Sequence, residues 1–545
     1  MKSLSLFFKN TFTNKYTYRW LACFLSMFAI IYYAIAYVNS GVYYDQAVSF
    51  RPLCIAFGIF ILALMPPKSY LNFFTLAYVP VCYIFMHFAY LGQWIHDDCE
   101  YQYPDVLRLG KAVALVWGIV LISIIYDFFK NKRFGELKKG RPFNIFLLCL
   151  FLVLMVSLGI TCGEYYNAWF IIIAFVSLIY VMRDEKNRST FLSALEIAML
   201  FSFFFILYKS LRHRPYDTER YRSFFANSNT AGMYHAMALA VFYSRLSFWW
   251  EKRRASKDKK SLILLIFWFL MFGIAAEYVV FNYTRTTIMG LLFSFAVLFV
   301  IHLIKKEDKK SLFGRAGLII LTVVLMFYPV FLLIRYVPAY INEPTYICWE
   351  YDPEVRIVIG DPVDSPKYTS IESFLTLALG KWGIYVDFED KEDKGIEIDT
   401  ERDVTNGRVE IWREYISRLS AHGHFPGDIV AKDGEFIYHA HNTFLQFAYQ
   451  YGLFTGIIYF LTNGFSFLCI LLTAFVYAKD KDTERDRRIY FLIFMMGVCL
   501  LSQMTECMIH PAYIICFLLY SSMALIIPES YELKKLFTKK KNGEE

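Results

Sequence analysis

The chain has 545 residues, of which 57% are hydrophobic, 19% aromatic and only 19% charged. A water-soluble chain of this length would divide into several domains with roughly a quarter of its residues charged, so that class is excluded. The net charge of +8 does not indicate a nucleic-acid binder, because the basic residues are dispersed in short loops between apolar runs.

The apolar runs are about 17–23 residues long, enough to cross the hydrocarbon core of a bilayer. In chain order they fall near 20–38, 52–66, 71–92, 108–128, 143–161, 166–182, 191–210, 229–248, 261–281, 286–304, 316–338, 450–476, 488–506 and 510–528. They predict an all-α polytopic membrane protein with about 14 transmembrane helices and one large external loop carrying short helices. The first run is long and no small-residue cleavage site follows it, so it reads as a span rather than a removed signal peptide. The expected organisation is N-terminal transmembrane helices over 1–211, central helices with external arginine segments over 212–340, the large loop over 341–441, and C-terminal helices with a basic tail over 442–545.

The loops alternate in charge. One set is basic: Lys9 to Arg19, Lys130 to Arg141, Arg183 to Arg188, Lys252 to Lys260, Lys305 to Arg315, Arg485 to Arg488, and Lys539 to Lys541. Lys and Arg are retained on the cytoplasmic side during insertion, which places both termini in the cytoplasm. The other set is weakly charged or acidic, such as His96-Asp97-Asp98-Cys99-Glu100. Seven cysteines (Cys23, Cys54, Cys82, Cys149, Cys469, Cys499, Cys516) lie within apolar runs and read as small hydrophobes. No CxxC pair supports metal or redox chemistry. Cys99, Cys162, Cys348 and Cys507 fall at or outside the external face, with no pairing selected.

Two external segments depart from this pattern. Leu211–Ser228 carries Arg212, Arg214, Arg220 and Arg222 on the side where arginine is disfavoured. Either these side chains bind an anion at the membrane surface, or they snorkel to headgroups from a displaced hairpin. The second segment is the loop from about 341 to 441, acidic over Asp387–Asp403, which reads as a solvated surface in preference to a metal site. Within it Asn406-Gly407 predicts a turn. Arg408–Leu419 predicts an amphipathic helix with Val409, Trp412, Ile416 and Leu419 on one side.

Ionisable groups at membrane depth mark candidate sites; they are few, and Glu196, Lys209 and Glu277 are among those inside the runs. Arg285 has almost no loop around it and must sit close to the membrane plane. Its planar fork of donors suits a phosphate, although a lone arginine can also simply mark a hairpin turn. Asn227, Ser228 and Asn229 precede a span and can cap its N-terminus, an end that also favours anions. His439-Ala440-His441-Asn442 closes the large loop, and a histidine there can serve as a general base. The spacing of His441, Phe444, Leu445 and Ala448 sets His441 at the top of an apolar helical face. Arginines that hold a diphosphate and a histidine that deprotonates a hydroxyl form a coherent set.

These residues resemble the O-antigen ligase and O-antigen polymerase family. His441-Asn442, nine residues, Gly452, two residues and Thr455 match its signature, within HAHNTFLQFAYQYGLFTG. Asn406-Gly407-Arg408 with Trp412 is similar to its Gly-Arg…Trp element. Arg220…Phe225-Ala226-Asn227-Ser228-Asn229 is similar to its Arg…Phe-x-Asn-Pro-Asn segment, and Thr284-Arg285 takes the place of its Ser-Arg pair. The four elements occur in the family's order between about residues 212 and 476. Ser228 replaces the usual proline, Ser223 stands where glycine is common, and either Arg220 or Arg222 is the equivalent arginine.

The resemblance implies a C-type glycosyltransferase membrane fold in a bacterial plasma membrane, with its active site on the external face. It implies an undecaprenyl-pyrophosphate-linked glycan as donor, a glycan or other hydroxyl as acceptor, no metal and no cofactor. It assigns His441 as base, Arg285 with Arg220 or Arg222 to the diphosphate, and Asn442, Arg408, Asn227, Asn229 and His439 to support. Membrane lipid and a chain-length regulator protein are the further partners it implies. Polymerisation of repeat units is preferred over ligation of a finished glycan to another acceptor. A lipid-linked oligosaccharide flippase is the non-enzymatic alternative, but no related halves are visible.

Overall fold

The computed structural model describes residues 15–39, 43–88, 104–132, 142–161, 165–213, 221–225, 228–305, 309–341, 346–349, 352–358, 375, 378–380, 384, 407–424, 429–430, 436–437, 439–477, 482–505 and 514–533. Arg220, Asn227, the acidic stretch 387–403 and Cys99, Cys162 and Cys507 lie outside these residues.

The described residues are almost entirely α-helical. The first helices are α1 (Lys15–Asn39), α2 (Tyr43–Leu64), α3 (Pro67–Tyr70), α4 (Phe73–Phe88), α5 (Pro104–Lys130), α6 (Pro142–Thr161), α7 (Tyr165–Met182) and α8 (Glu185–His213). Then come α9 (Ser228–Ser256), α10 (Lys259–Asn282), α11 (Arg285–Ile304) and α12 (Lys309–Ile341). The large loop contains the antiparallel ribbon β1 (Tyr346–Trp349) and β2 (Asp352–Val358), helix α13 (Arg408–Ser417), and the short ribbon β3 (Ile429–Val430) and β4 (Phe436–Ile437). The chain closes with α14 (Thr443–Gln450), α15 (Leu453–Val476), α16 (Thr483–Gln503) and α17 (Ile514–Glu529). Among the described residues seven helices are long and apolar enough to cross a membrane, which makes this an all-α membrane protein. Six of the seven cysteines expected in apolar runs are buried, and Cys149 is exposed.

The chain forms two compact units, one from residues 1–202, 461–476 and 510–545 and the other from 203–460 and 477–509. In the first unit a polar cluster gathers on Asp127. Its buried carboxylate accepts from Ser69 Oγ at 3.0 Å, Asn131 Nδ2 at 2.8 Å, Arg183 Nη2 at 3.1 Å and the Tyr180 hydroxyl. Arg188 pairs with Glu529 at 2.8 Å. These pairs satisfy charges that would be costly to bury alone.

The second unit is built around α9. This helix is rich in Ala and Ser, and it is not among the seven candidate spans. It is nevertheless buried almost continuously from Ala231 to Ser247. Small side chains let neighbouring backbones approach, and a helix enclosed by protein does not need the hydropathy that lipid demands. Helix α12 has the opposite character. It exposes Ile320, Leu321, Val324, Leu325 and Tyr328, an apolar face suited to lipid.

The basic ends of this unit's helices gather apart from the predicted site. Helix α9 ends on Arg253 and Arg254, α10 begins at Lys259, α11 ends beside Lys305, and α16 begins with Arg485 and Arg487. Lys305 and Asp486 pair there. The opposite helix ends carry Ser228, Asn282, Arg285 and Gln503.

Candidate active site

Asn282, the last residue of α10, organises the arginine side. Its Nδ2 donates to the Tyr221 carbonyl at 2.8 Å and to the Ser228 carbonyl at 2.7 Å. Its Oδ1 accepts from the Thr284 hydroxyl. The Tyr221 N–H donates to the Phe281 carbonyl at 3.3 Å, so the segment before α9 is strapped to the end of α10. The Tyr221 ring anchors the strap in an apolar cluster with Tyr278, Phe281, Tyr283, Val330, Phe331 and Ile334.

Arg222 follows Tyr221 in this strap, half-buried, and Asn229 follows Ser228 in the first turn of α9, also half-buried. Ser223 adopts a left-handed conformation (φ 56°), and its Oγ meets that of Ser210 at 2.6 Å. The position where the resembled family favours glycine is therefore one whose backbone favours glycine.

Tyr283, in the left-handed cap of α10, and Thr284 turn the chain directly into α11, whose first residue is Arg285. The turn fits closely against Gly232 of α9. A Cβ there would stand 2.6 Å from Asn282 Oδ1 and 2.8 Å from Thr287 Oγ1, so only glycine fits. Arg285 is half-buried at a helix N-terminus, where backbone dipoles favour anions.

The histidine side is held through the backbone of one residue. Ala440 is fully buried between His439 and His441. Its N–H donates to Gln446 Oε1 at 2.6 Å, and its carbonyl accepts from Trp412 Nε1 at 2.8 Å. The two flanking imidazoles are in edge contact, with ring centroids 4.0 Å apart. His441 is left-handed (φ 47°) and precedes the helix instead of crowning its apolar face. Asn442 is the N-cap of α14, and its side chain accepts from the Leu445 N–H at 3.1 Å. That cap decides where the helix begins.

The amphipathic helix in the large loop is present as α13, but its buried face differs from the expectation. Tyr415 is fully buried with Ile429, Ala440 and Tyr449, and its hydroxyl donates to the Ile437 carbonyl at 3.2 Å. Ile411 and Leu419 pack against the same cluster, whereas Ile416 is 58% exposed. Arg408 opens the helix one turn before Trp412.

Gly452 has φ +88°, and a Cβ there would lie 2.2 Å from the Ala421 carbonyl oxygen. Gly423 meets the Gln450 carbonyl equally closely. The two glycines let the end of α14 lie directly on the loop after α13, and the Leu453 N–H donates to the Ser420 carbonyl at 2.9 Å. The glycine of the histidine motif is thus a backbone-packing requirement.

The two sides meet at the end of α16. Asn442 Nδ2 donates to the Met504 carbonyl at 3.2 Å. The Thr505 hydroxyl donates to that of Thr286 at 2.6 Å. A short path of hydrogen bonds therefore joins the neighbours of His441, Arg285, Arg222 and Asn229. Asn282, Gln446 and residues 503–505 escaped the sequence reading. An asparagine ending an apolar run was their one visible signal, and its partners lie 54 and 61 residues away.

Among the described residues no three His, Cys, Asp or Glu side chains form a metal-binding group. No protein-family model, curated protein or solved structure matches the chain.

Proposed function

We propose that the protein is a glycosyltransferase that polymerises undecaprenyl-pyrophosphate-linked oligosaccharide units at the outer face of a bacterial plasma membrane. The observation that carries this reading is the convergence of the four motif-like elements. They are far apart in sequence, yet Trp412 and the chain neighbours of Arg222, Arg285 and His441 belong to one hydrogen-bonded assembly. The basic residues at the opposite helix ends support an external placement of the site.

In this mechanism Arg285, with Arg220 or Arg222, holds the donor diphosphate by charge-assisted hydrogen bonds. The N-terminus of α11 adds its dipole. His441 takes the proton of the acceptor hydroxyl as the oxygen attacks the anomeric carbon and the bond to the diphosphate breaks. One in-line displacement inverts the anomeric centre. The diphosphate leaves as an anion paired with arginine, so it needs no strong protonation.

His441→Ala tests this reading. General-base removal should lower turnover by about 10²–10⁴-fold, so polymeric surface glycan disappears at normal membrane levels of the protein. Wild-type glycan length and amount in that variant would overturn it.

A further inference from the structure

Gln503, which ends α16, and the two residues that follow it each grip a different part of the site. Gln503 Oε1 accepts from the hydroxyl of Tyr459 on α15, and the Tyr459 ring stacks on Phe447 of α14 with centroids 3.9 Å apart. Met504 offers its carbonyl to Asn442, the residue after His441. Thr505 donates to Thr286, the residue after Arg285. None of the three belongs to a motif-like element.

The helix behind them is held tightly against α11. A Cβ on Gly290 would stand 3.3 Å from the Val498 backbone, and one on Gly497 would stand 2.5 Å from Ser294 Oγ. Ser294 Oγ also donates to the Phe494 carbonyl at 3.1 Å. Small residues and interhelical hydrogen bonds are what fix helix pairs in membranes. Helix α16 is thereby registered on α11, and its last residues carry that register to the histidine loop.

We infer that Thr505, with Met504 and Gln503, is a positioning element that sets the distance between the general base and the arginine-bound diphosphate. Thr505 acts on the Arg285 side through Thr286, and the Met504 carbonyl acts on the His441 side through Asn442. The inference rests on the glycosyltransferase reading. It adds that the two halves of the site are gauged against each other by α16. Misplacing a catalytic group by even a fraction of its contact distance impairs the chemical step more than ground-state binding.

The test is the rate of undecaprenyl-diphosphate release by the purified full-length protein in detergent. The substrate is lipid-linked oligosaccharide isolated from the source organism's own membranes. Thr505→Val keeps the shape of the side chain and removes the hydroxyl. Its kcat should fall about tenfold, with the donor KM changed less than about twofold. Thr505→Ser keeps the hydroxyl and should restore kcat. Thr286→Val should reproduce the loss, and the double variant should cost no more than either single one.

Wild-type kcat in Thr505→Val, equal loss in Thr505→Ser, or additive losses in the double variant would each overturn the inference. A His441→Ala variant run in parallel separates the two failures. If the wild-type protein releases no undecaprenyl diphosphate, the glycosyltransferase reading is wrong; if His441→Ala keeps activity, the base assignment is wrong; if it is inactive while Thr505→Val is normal, the positioning role alone is wrong.

Discussion

The arginine side and the histidine side of the site are both fixed through their backbones, and the means differ. On the arginine side one fully buried amide, Asn282, serves two carbonyls and a hydroxyl, joining the strap, the start of α9 and the turn into α11. On the histidine side two separate side chains, Trp412 and Gln446, hold the two peptide groups that flank the Ala440 Cα. The first arrangement concentrates its connections in one residue and the second divides them. A defect should therefore spread widely on one side and stay local on the other.

Asn282→Asp should show the larger effect. Aspartate replaces two donors with an oxygen facing two carbonyls in a buried setting, at a cost of about 2–6 kcal/mol. Thermal unfolding in detergent should occur well below the wild-type temperature, with a raised donor KM in whatever protein remains folded. A wild-type unfolding temperature would remove the hub from the account.

Gly452→Ala comes next. The new methyl group would meet the Ala421 carbonyl on a left-handed backbone, which should cost about 1–3 kcal/mol. Unfolding midpoints would register the loss, and an unchanged midpoint would show that the loop can move aside.

Trp412→Phe should have the smallest effect on stability, about 1–2 kcal/mol for one lost bond to a buried carbonyl. Here kcat should fall while donor KM holds, because only the histidine peptide is loosened. A stability loss as large as that of Asn282→Asp would show that the two sides are held alike.

Much of the architecture could be read from the chain because burial in lipid imposes long apolar runs, and helices occupy these runs. Helix α9 shows where that logic thins out. Enclosed by protein, it carries Ser228, Asn229, Thr230 and Gly232, and although the run 229–248 marks the helix, its apolar signal is weaker than that of α12. The histidine segment was legible because the His-Asn pair, the glycine and the threonine keep fixed spacings within one short stretch. Asn282 and Thr505 were not, since each works through partners distant in sequence and neither spacing nor periodicity marks it. The face of α13 was misread for a related reason. Of the expected Val409, Trp412, Ile416 and Leu419, Leu419 packs on the cluster and Trp412 reaches the Ala440 carbonyl, but Ile416 is exposed, because tertiary contact with Ile429 and Tyr449 draws in Tyr415 and Ile411 instead.

Three residues bordering the site, Ser223, Tyr283 and His441, hold left-handed backbones without being glycine. Glycine at any of them would relieve the backbone and forfeit a side chain in use: the hydroxyl that meets Ser210, the ring packed among Tyr278 and Phe281, or the imidazole itself. For an engineer this makes the rim a poor place to seek stability. Consensus-style glycine substitutions there would trade rigidity of the loops for loss of the groups those loops exist to present, whereas the lipid-facing surface of α12 offers changes without that conflict.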